Sequence, residues 1–194
     1  ALEAGKHVVT ANKAILSQYW DEIFGTAYRQ KKLVYFEAAV GGGVPVIQAL
    51  NEGLAGNKIS RIVGILNGTT NFILTKMDEE GITFKEGVKA AQKAGFAERN
   101  PSFDVEGIDA AQKISILTSL AIGQWVSPAN VHTEGITKLQ AMDAKLIKER
   151  LNSTIKLLAI SELTPFGWVL RVHPTLVAKS HPFATVRNEY NAIS

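Results

Sequence analysis

The sequence contains no cysteine among its 194 residues. This absence excludes disulfides, thiolate zinc sites and a cysteine nucleophile, and it fits a reducing compartment such as the cytoplasm. There is also no G-x-S-x-G motif, so nothing supports a serine hydrolase. The histidines lack the H-x-x-x-H type of spacing that metal sites use, which argues against a histidine-bound metal. They are His7, His132, His173 and His181.

Long apolar runs and concentrated charge are absent as well. The longest apolar runs are far shorter than a membrane span, and no basic segment leads into an apolar stretch at the start. We therefore expect neither membrane association nor a signal peptide. The net charge is +3, and its basic residues are scattered without interleaved aromatics, so we expect no nucleic-acid binding. With 46% hydrophobic residues, the chain can form one sizeable core or two small ones.

The apolar pattern of the first 50 residues predicts an α/β unit. A strand is expected at 7–10, an amphipathic helix at 14–30 and a second, largely apolar strand at 32–40. Gly41–Gly43 then turn the chain, and a helix begins at Val44-Pro45. The order strand–helix–strand–helix is typical of α/β proteins.

Further elements are predicted downstream. Asn67–Asn71 joins a strand end to a helix start, where it can cap the helix or hold an anion. The predicted elements are a strand at 59–66, a helix from this loop to Glu80, a helix opened by a Thr83–Glu86 capping box and ending at Gly95, a helix carrying residues 109–120, a helix at 139–150, and strands at 155–163 and 168–173.

The most informative feature is the Asp109–Lys113 pair at the start of the helix that carries residues 109–120. On a helical wheel the pair shares a stripe with Ile116 and Leu120, next to the apolar arc and away from the polar side. A charged pair on such a face costs free energy unless it is paired or used. It could also be an ordinary solvated i, i+4 pair, and Asp109 could be a helix N-cap. The polar face of this helix carries Gln112, Ser115, Thr118 and Ser119. The loop before the helix carries the acidic residues Glu98, Asp104 and Glu106.

Two further charged residues are candidates. Lys13 follows the C-terminal end of a predicted strand, where α/β sheets bind ligands, although this segment alone favours an ordinary solvated lysine. Glu37 is embedded in the apolar run LVYFEAAV, so it lies at a sheet edge or coordinates a ligand. The glycines of Gly41–Gly43 fit neither nucleotide-binding motif and instead expose carbonyl oxygens that suit hard cations.

Five segments, in this order, resemble homoserine dehydrogenases: HVVTANKA, FEAAVGGGVPVI, GILNGTTNFIL, AGFAERNPSFDVEGIDAAQKISIL and HPTLVAKSHPFATV. The resemblance implies an α/β (α+β) fold with a mixed β-sheet and helices packed on it. It implies that residues 1–36 are a remnant of a Rossmann-type nucleotide-binding domain and that residues 37–194 form the substrate-binding, catalytic and dimerisation domain. It also implies a cytoplasmic homodimer.

The same resemblance implies an activity and roles for single residues. The family reduces L-aspartate 4-semialdehyde to L-homoserine with NADPH or NADH, and reverses this reaction, in threonine, methionine and isoleucine biosynthesis. Lys113 corresponds to the proton donor and Lys13 to a second lysine near the nicotinamide. The positions that match substrate-binding residues are Glu98, Asp104, Asp109 and Thr69. Those that match cofactor-lining residues are Thr10, Lys13 and Gly95. Those that match a monovalent-cation site, typically sodium, are Glu37 and the backbone oxygens of Val40, Gly42 and Val44.

One departure from the family pattern matters for activity. The family begins with a G-x-G-x-x-G unit, and the sequence has none. We therefore expect that the nucleotide-binding half is missing and that these residues alone have little or no dehydrogenase activity. The alternative is a non-catalytic amino-acid-binding or dimerising module. The presence of Lys13 and Lys113 together with Glu98 and Asp109 favours the enzyme, because a binding module needs no lysines.

Overall fold

The computed structural model describes residues 1–194 and contains two sheets. The N-terminal part forms a small unit of two short parallel strands with helices between them. Its elements are β1 (Val8–Val9), α1 (Lys13–Gln18), α2 (Trp20–Gln30) and β2 (Val34–Tyr35), with Val8 paired to Val34. The single helix predicted at 14–30 is interrupted at Tyr19, whose φ of −121° ends α1. Asn12 caps α1 by accepting a hydrogen bond from the Ile15 amide at 3.1 Å.

The strand predicted at 32–40 is wrong beyond Tyr35. Phe36 leaves the extended conformation and Glu37–Ala39 form a 3₁₀ turn. The turn brings the Glu37 carboxylate to the amides of Ile47 and Gln48, each 2.9 Å away. A buried strand would leave that charge unsatisfied, whereas the turn pairs it with two free donors at a helix start. The helix predicted from Pro45 consists of α3 (Val46–Gln48) and a π turn at Ala49–Gly53.

The middle of the chain contains one strand and four helices. They are β3 (Arg61–Ile65), α4 (Gly68–Glu80), α5 (Phe84–Lys93), α6 (Ser102–Val105) and α7 (Ile108–Ile122). The end of α4 and the start of α5 agree with prediction: Gly81 ends α4 with a φ of 68°, and Thr83 and Glu86 form a capping box, whereas α5 ends at Lys93, before the predicted Gly95. The single turn of α6 lies within the segment predicted as an acidic loop.

The C-terminal part completes a mixed five-stranded sheet with the order β4-β6-β5-β3-β7. Its elements are β4 (His132–Thr133), α8 (Ala141–Leu151), β5 (Ser153–Thr164), β6 (Gly167–Ala178) and β7 (Ala192–Ile193). The β5–β6 hairpin is longer than predicted, with pairs from Ser153 and Ala178 to Thr164 and Gly167. β4 is parallel to β6 and the other pairs are antiparallel. The predicted fold class, a mixed sheet with helices packed on it, is confirmed.

α7 lies at the centre of the main hydrophobic core. Ile114, Ile116 and Leu117 are fully buried in the same cluster as Leu157 and Val172 of the sheet. The predicted polar face of α7 is buried too. The hydroxyls of Thr118 and Ser119 donate to carbonyls one turn earlier, and that of Ser115 donates to the carbonyl of Val126 beyond the helix, so all three are satisfied without water. None of the helices combines the length and apolar character that crossing a bilayer requires.

Candidate active site

The Asp109 carboxylate at the start of α7 belongs to a residue that is 3% exposed, and it receives three side-chain donors. Lys113 Nζ lies 2.7 Å from Oδ2, and Asn67 Nδ2 lies 2.9 Å from the same oxygen. Lys13 Nζ lies 2.9 Å from Oδ1. Asp109 is the second residue of α7 and its side chain does not cap the helix, so the expectation of an N-cap is wrong. The inward-facing pair is therefore part of a larger polar cluster.

The two lysines reach Asp109 from different directions. Lys113 also donates to the carbonyl of Leu66 at 2.7 Å, which fixes its ammonium between α7 and the end of β3. Lys13 is the first residue of α1 and follows β1 in the chain. This agrees with the prediction that it lies beyond the end of a strand. The Lys113 side chain is 16% exposed and that of Lys13 is 32% exposed, so both remain within reach of a ligand.

The electrostatics of the cluster favour an ionised Asp109. Burial alone would raise the pKa of this carboxyl. The charge and hydrogen bond of Lys113 and the hydrogen bonds from Asn67 and Lys13 outweigh burial, so the pKa lies below its ordinary value. Two ammonium groups then meet the Asp109 carboxylate, and Asn67 brings the Asp104 carboxylate beside them.

Asn67 is a site residue that the sequence predicted only as part of a loop that caps a helix or holds an anion. Its Oδ1 accepts from the Thr70 amide at 2.8 Å, as capping of α4 predicted. Its Nδ2 also donates to Asp104 Oδ1 at 2.7 Å, which brings Asp104 beside Asp109. The only signal available in the sequence was its position between a buried strand and a helix.

The remaining substrate candidates are Thr69 and Glu98. Thr69 Oγ1 donates to the carbonyl of Phe96 at 2.7 Å and so ties the start of α4 to the loop after α5. Glu98 lies on that loop with an exposed side chain, and its carboxylate forms no ion pair or hydrogen bond. The structure thus brings together Lys13, Asp104, Asp109 and Lys113, but it does not bring Glu98 into contact with them.

The residues expected to line a cofactor have local backbone roles. Thr10 Oγ1 accepts from the Asn12 amide at 3.1 Å in the loop before Lys13. Gly95 follows α5 with a φ of 81°, a conformation that favours glycine, and it is exposed. Neither residue forms a hydrogen bond with the Asp109 cluster.

Only some of the oxygens expected to bind a cation are available to it, because the others already accept hydrogen bonds. Both carboxylate oxygens of Glu37 accept backbone N–H groups. The Val44 carbonyl accepts from the Val46 amide at 2.8 Å. The carbonyl oxygens of Val40 and Gly42 accept no hydrogen bond and remain suitable for a hard cation.

The ion-pair cluster does not line a main surface cavity. The main surface cavities are lined by other residues, and none of them includes Lys13, Asp109 or Lys113. We identify the site by its converging charged groups and not by the shape of a cavity. A deep cavity is not required, since a second protein surface can close an exposed site.

A sequence profile of the family described as homoserine dehydrogenase matches residues 45–194. The chain belongs to the homoserine dehydrogenase family. It is 49% identical over 193 residues to a homoserine dehydrogenase of Neisseria gonorrhoeae, and the match covers 100% of this chain and 44% of that protein. The chain thus spans less than half the length of this curated relative.

Solved structures of the homoserine dehydrogenase family share the fold. The crystal structure of a homoserine dehydrogenase from Thiobacillus denitrificans matches 99% of this chain with a TM-score of 0.96 and 46% identity, which covers 44% of that protein. A hyperthermophilic archaeal homoserine dehydrogenase in complex with NADPH matches 100% of the chain and 55% of that protein, with a TM-score of 0.85 and 33% identity. The predicted family resemblance is therefore confirmed.

Proposed function

We propose that this chain supplies the substrate-binding and proton-transfer part of a homoserine dehydrogenase, which interconverts L-aspartate 4-semialdehyde and L-homoserine. The observation that carries the proposal is the convergence of Lys13 and Lys113 on buried Asp109. Family membership supports the reaction class, and the archaeal relative in complex with NADPH supports NADPH or NADH as the cofactor.

Lys113 has the geometry of a proton donor. Its ammonium has three N–H groups, of which one binds Asp109 and one binds the carbonyl of Leu66. The third is free for the substrate oxygen. A bound nicotinamide supplies the hydride for reduction. Lys113 would stabilise the negative charge that then develops on the aldehyde oxygen and give it the proton, which yields the alcohol and a neutral amine that solvent reprotonates.

The carboxylates divide the remaining work. A carboxylate has about four acceptor positions, and donors from Lys113, Lys13 and Asn67 occupy three of those on Asp109. Asp109 therefore acts mainly by holding the two lysines. Asp104, half-buried beside it, is better placed to bind the substrate's ammonium group, with Thr69 nearby, and the Glu98 carboxylate has no other partner and is available for the same role.

The division into domains is part of the proposal. Residues 1–36 would belong to a nucleotide-binding unit and residues 37–194 to the catalytic unit, with Thr10, Lys13 and Gly95 facing the cofactor. The support is the parallel pairing of β1 and β2, where Val9 is 83% exposed and Tyr35 is 58% exposed. Parallel sheets are normally covered on both faces, so these side chains call for further protein against them.

A homodimer is the proposed assembly. The β5–β6 hairpin carries exposed apolar side chains, with Phe166 100% exposed at the tip and Leu176 52% exposed. Apolar surface of this kind commonly marks an association site. Analytical ultracentrifugation should give twice the monomer mass, and a monomer at micromolar concentration would contradict the proposal.

The function is tested by assaying the gene product with L-homoserine and NADP⁺ or NAD⁺ and following reduced cofactor by absorbance. Turnover is the expected result. The 194 residues alone should have little or no turnover, because they lack a glycine-rich nucleotide motif. Binding of L-homoserine by calorimetry without any turnover of the gene product would instead indicate the amino-acid-binding module.

The monovalent cation, sodium by resemblance, is proposed to bind the free carbonyl oxygens of Val40 and Gly42, with the Glu37 side chain serving as a helix cap. Replacing sodium chloride by choline chloride at equal ionic strength should lower the melting temperature, since ligand binding to the folded state stabilises it. Unchanged melting in both salts would contradict a sodium site. Glu37→Gln should lower stability by about 1 kcal/mol in either salt, because the charge and one of the two acceptor oxygens are lost but the carbonyls remain.

A further inference from the structure

Asn67 uses every polar atom of its side chain. It lies between β3 and α4, is 5% exposed, and forms one hydrogen bond through Oδ1 and two through Nδ2. The two Nδ2 bonds reach carboxylates on different elements, Asp104 on α6 and Asp109 on α7. One neutral amide therefore links the carboxylate that holds the lysines to the carboxylate of Asp104.

The orientation of this amide is determined by its partners. Oδ1 receives the Thr70 amide at 2.8 Å. A rotation by 180° would turn the NH₂ group towards that N–H and the oxygen towards two carboxylates, which would break all three bonds. Capping of α4 needs only the oxygen of Asn67. It does not explain why both N–H groups of Nδ2 are bound to carboxylates.

We propose that Asn67 is a positioning residue of the active site, which holds Asp104 at a fixed place beside Asp109 and Lys113 by donating one N–H to each carboxylate. The inference rests on the proposed function, in which Asp104 binds the substrate's ammonium while Lys113 acts on its carbonyl oxygen. Asn67 then sets the spacing between these two ends without touching the substrate.

The test is Asn67→Asp in the complete gene product. Aspartate keeps the oxygen that caps α4 but replaces both donors with a third carboxylate. At pH 8 we expect kcat/KM for L-homoserine to fall at least about 100-fold, with a raised KM. Part of the loss should be recovered as the pH is lowered, because the introduced carboxyl group can donate one hydrogen bond once it is protonated. Because a new carboxylate beside the site affects the pH profile in any case, an uncharged variant must show the same loss of kcat/KM.

Asn67→Ser separates folding from positioning. Serine can also cap a helix, but its short side chain cannot bridge both carboxylates. We expect a similar loss of kcat/KM without recovery at low pH, and this variant decides the matter if Asn67→Asp does not fold. Wild-type KM, kcat and pH profile in the folded variants would refute the role of Asn67. A wild-type gene product without turnover would refute the proposed function instead.

Discussion

Lys113 and Lys156 are both largely buried lysines, but their surroundings differ. Lys113 meets the Asp109 carboxylate at 2.7 Å and keeps 16% of its side chain exposed. Lys156, on β5, is 2% exposed and binds only neutral oxygens, Asn71 Oδ1 at 3.1 Å and the carbonyl of Val186 at 2.5 Å. One lysine is therefore charge-matched and accessible, and the other is unmatched and closed off.

The difference has an electrostatic consequence. Burial, followed by the charge of Arg187, lowers the pKa of Lys156 to about 8, and Asp78 and Glu79 only partly oppose this. A low pKa in a buried lysine can indicate catalysis, but nothing reaches Lys156 from outside. Its hydrogen bonds hold the C-terminal segment, which Asn71 also binds at the carbonyl of Asn188 at 2.8 Å. Access and a charged partner, and not burial alone, distinguish the candidate catalytic lysine.

The largest effect is expected from Lys113→Met in the gene product. Methionine keeps the length of the side chain but removes the proton donor, so kcat should fall about 100- to 10,000-fold. The KM for L-homoserine should change little, because other groups bind the amino-acid end. Steady-state kinetics in both directions measure this.

Two controls accompany the Lys113 variant. Lys145→Met changes an exposed lysine on α8 and should leave kcat unchanged. Lys156→Met should also retain most of the activity, because Lys156 does not reach the site. A wild-type kcat in the Lys113→Met enzyme would refute the proposed role as proton donor. A large fall of kcat in Lys156→Met would show that the two lysines do not differ in function.

A smaller effect is expected on the pH dependence of the unfolding free energy when Lys156 is replaced by Met. The folded-state pKa of about 8 lies below the unfolded value near 10.4, so the unfolded chain holds more protons between these pH values. The free energy of unfolding of the wild type should therefore rise with pH relative to Lys156→Met, by about 2 kcal/mol between pH 7 and 10. Urea unfolding of both proteins across this range measures the difference. A constant difference would show that Lys156 titrates normally.

The smallest effect is expected from Arg187→Gln. Removing this charge also frees Glu79, its ion-pair partner, and both changes favour charged Lys156. The pKa of Lys156 should move up towards its ordinary value, and the pH dependence of stability should shrink by roughly several tenths of a kcal/mol. The same unfolding series, with Arg29→Gln on α2 as the matched surface control, measures this change. An unaltered slope would assign the lowered pKa to burial alone.

Prediction from the sequence was most reliable where the controlling interactions are local. The capping box at Thr83 and Glu86 and the glycine end of α4 depend on neighbouring residues, and both were correct. The strand at 32–40 failed because Glu37 finds its donors at Ile47 and Gln48, which local apolar content does not reveal. The burial of the polar side of α7 was also not evident from the sequence, since its hydroxyls are satisfied by carbonyls of the helix itself and by the carbonyl of Val126.

The sequence by itself determined the Asp109–Lys113 pair, because residues four apart on a helix always lie on the same side, one turn from each other. Only the tertiary structure decided what surrounds it. Asn67 is 42 residues from Asp109 along the chain, and Lys13 comes from a separate helix, so both reach the carboxylate through packing of α1, β3 and α7. Helical periodicity specifies short-range geometry, whereas contacts between distant elements depend on how the whole core is packed.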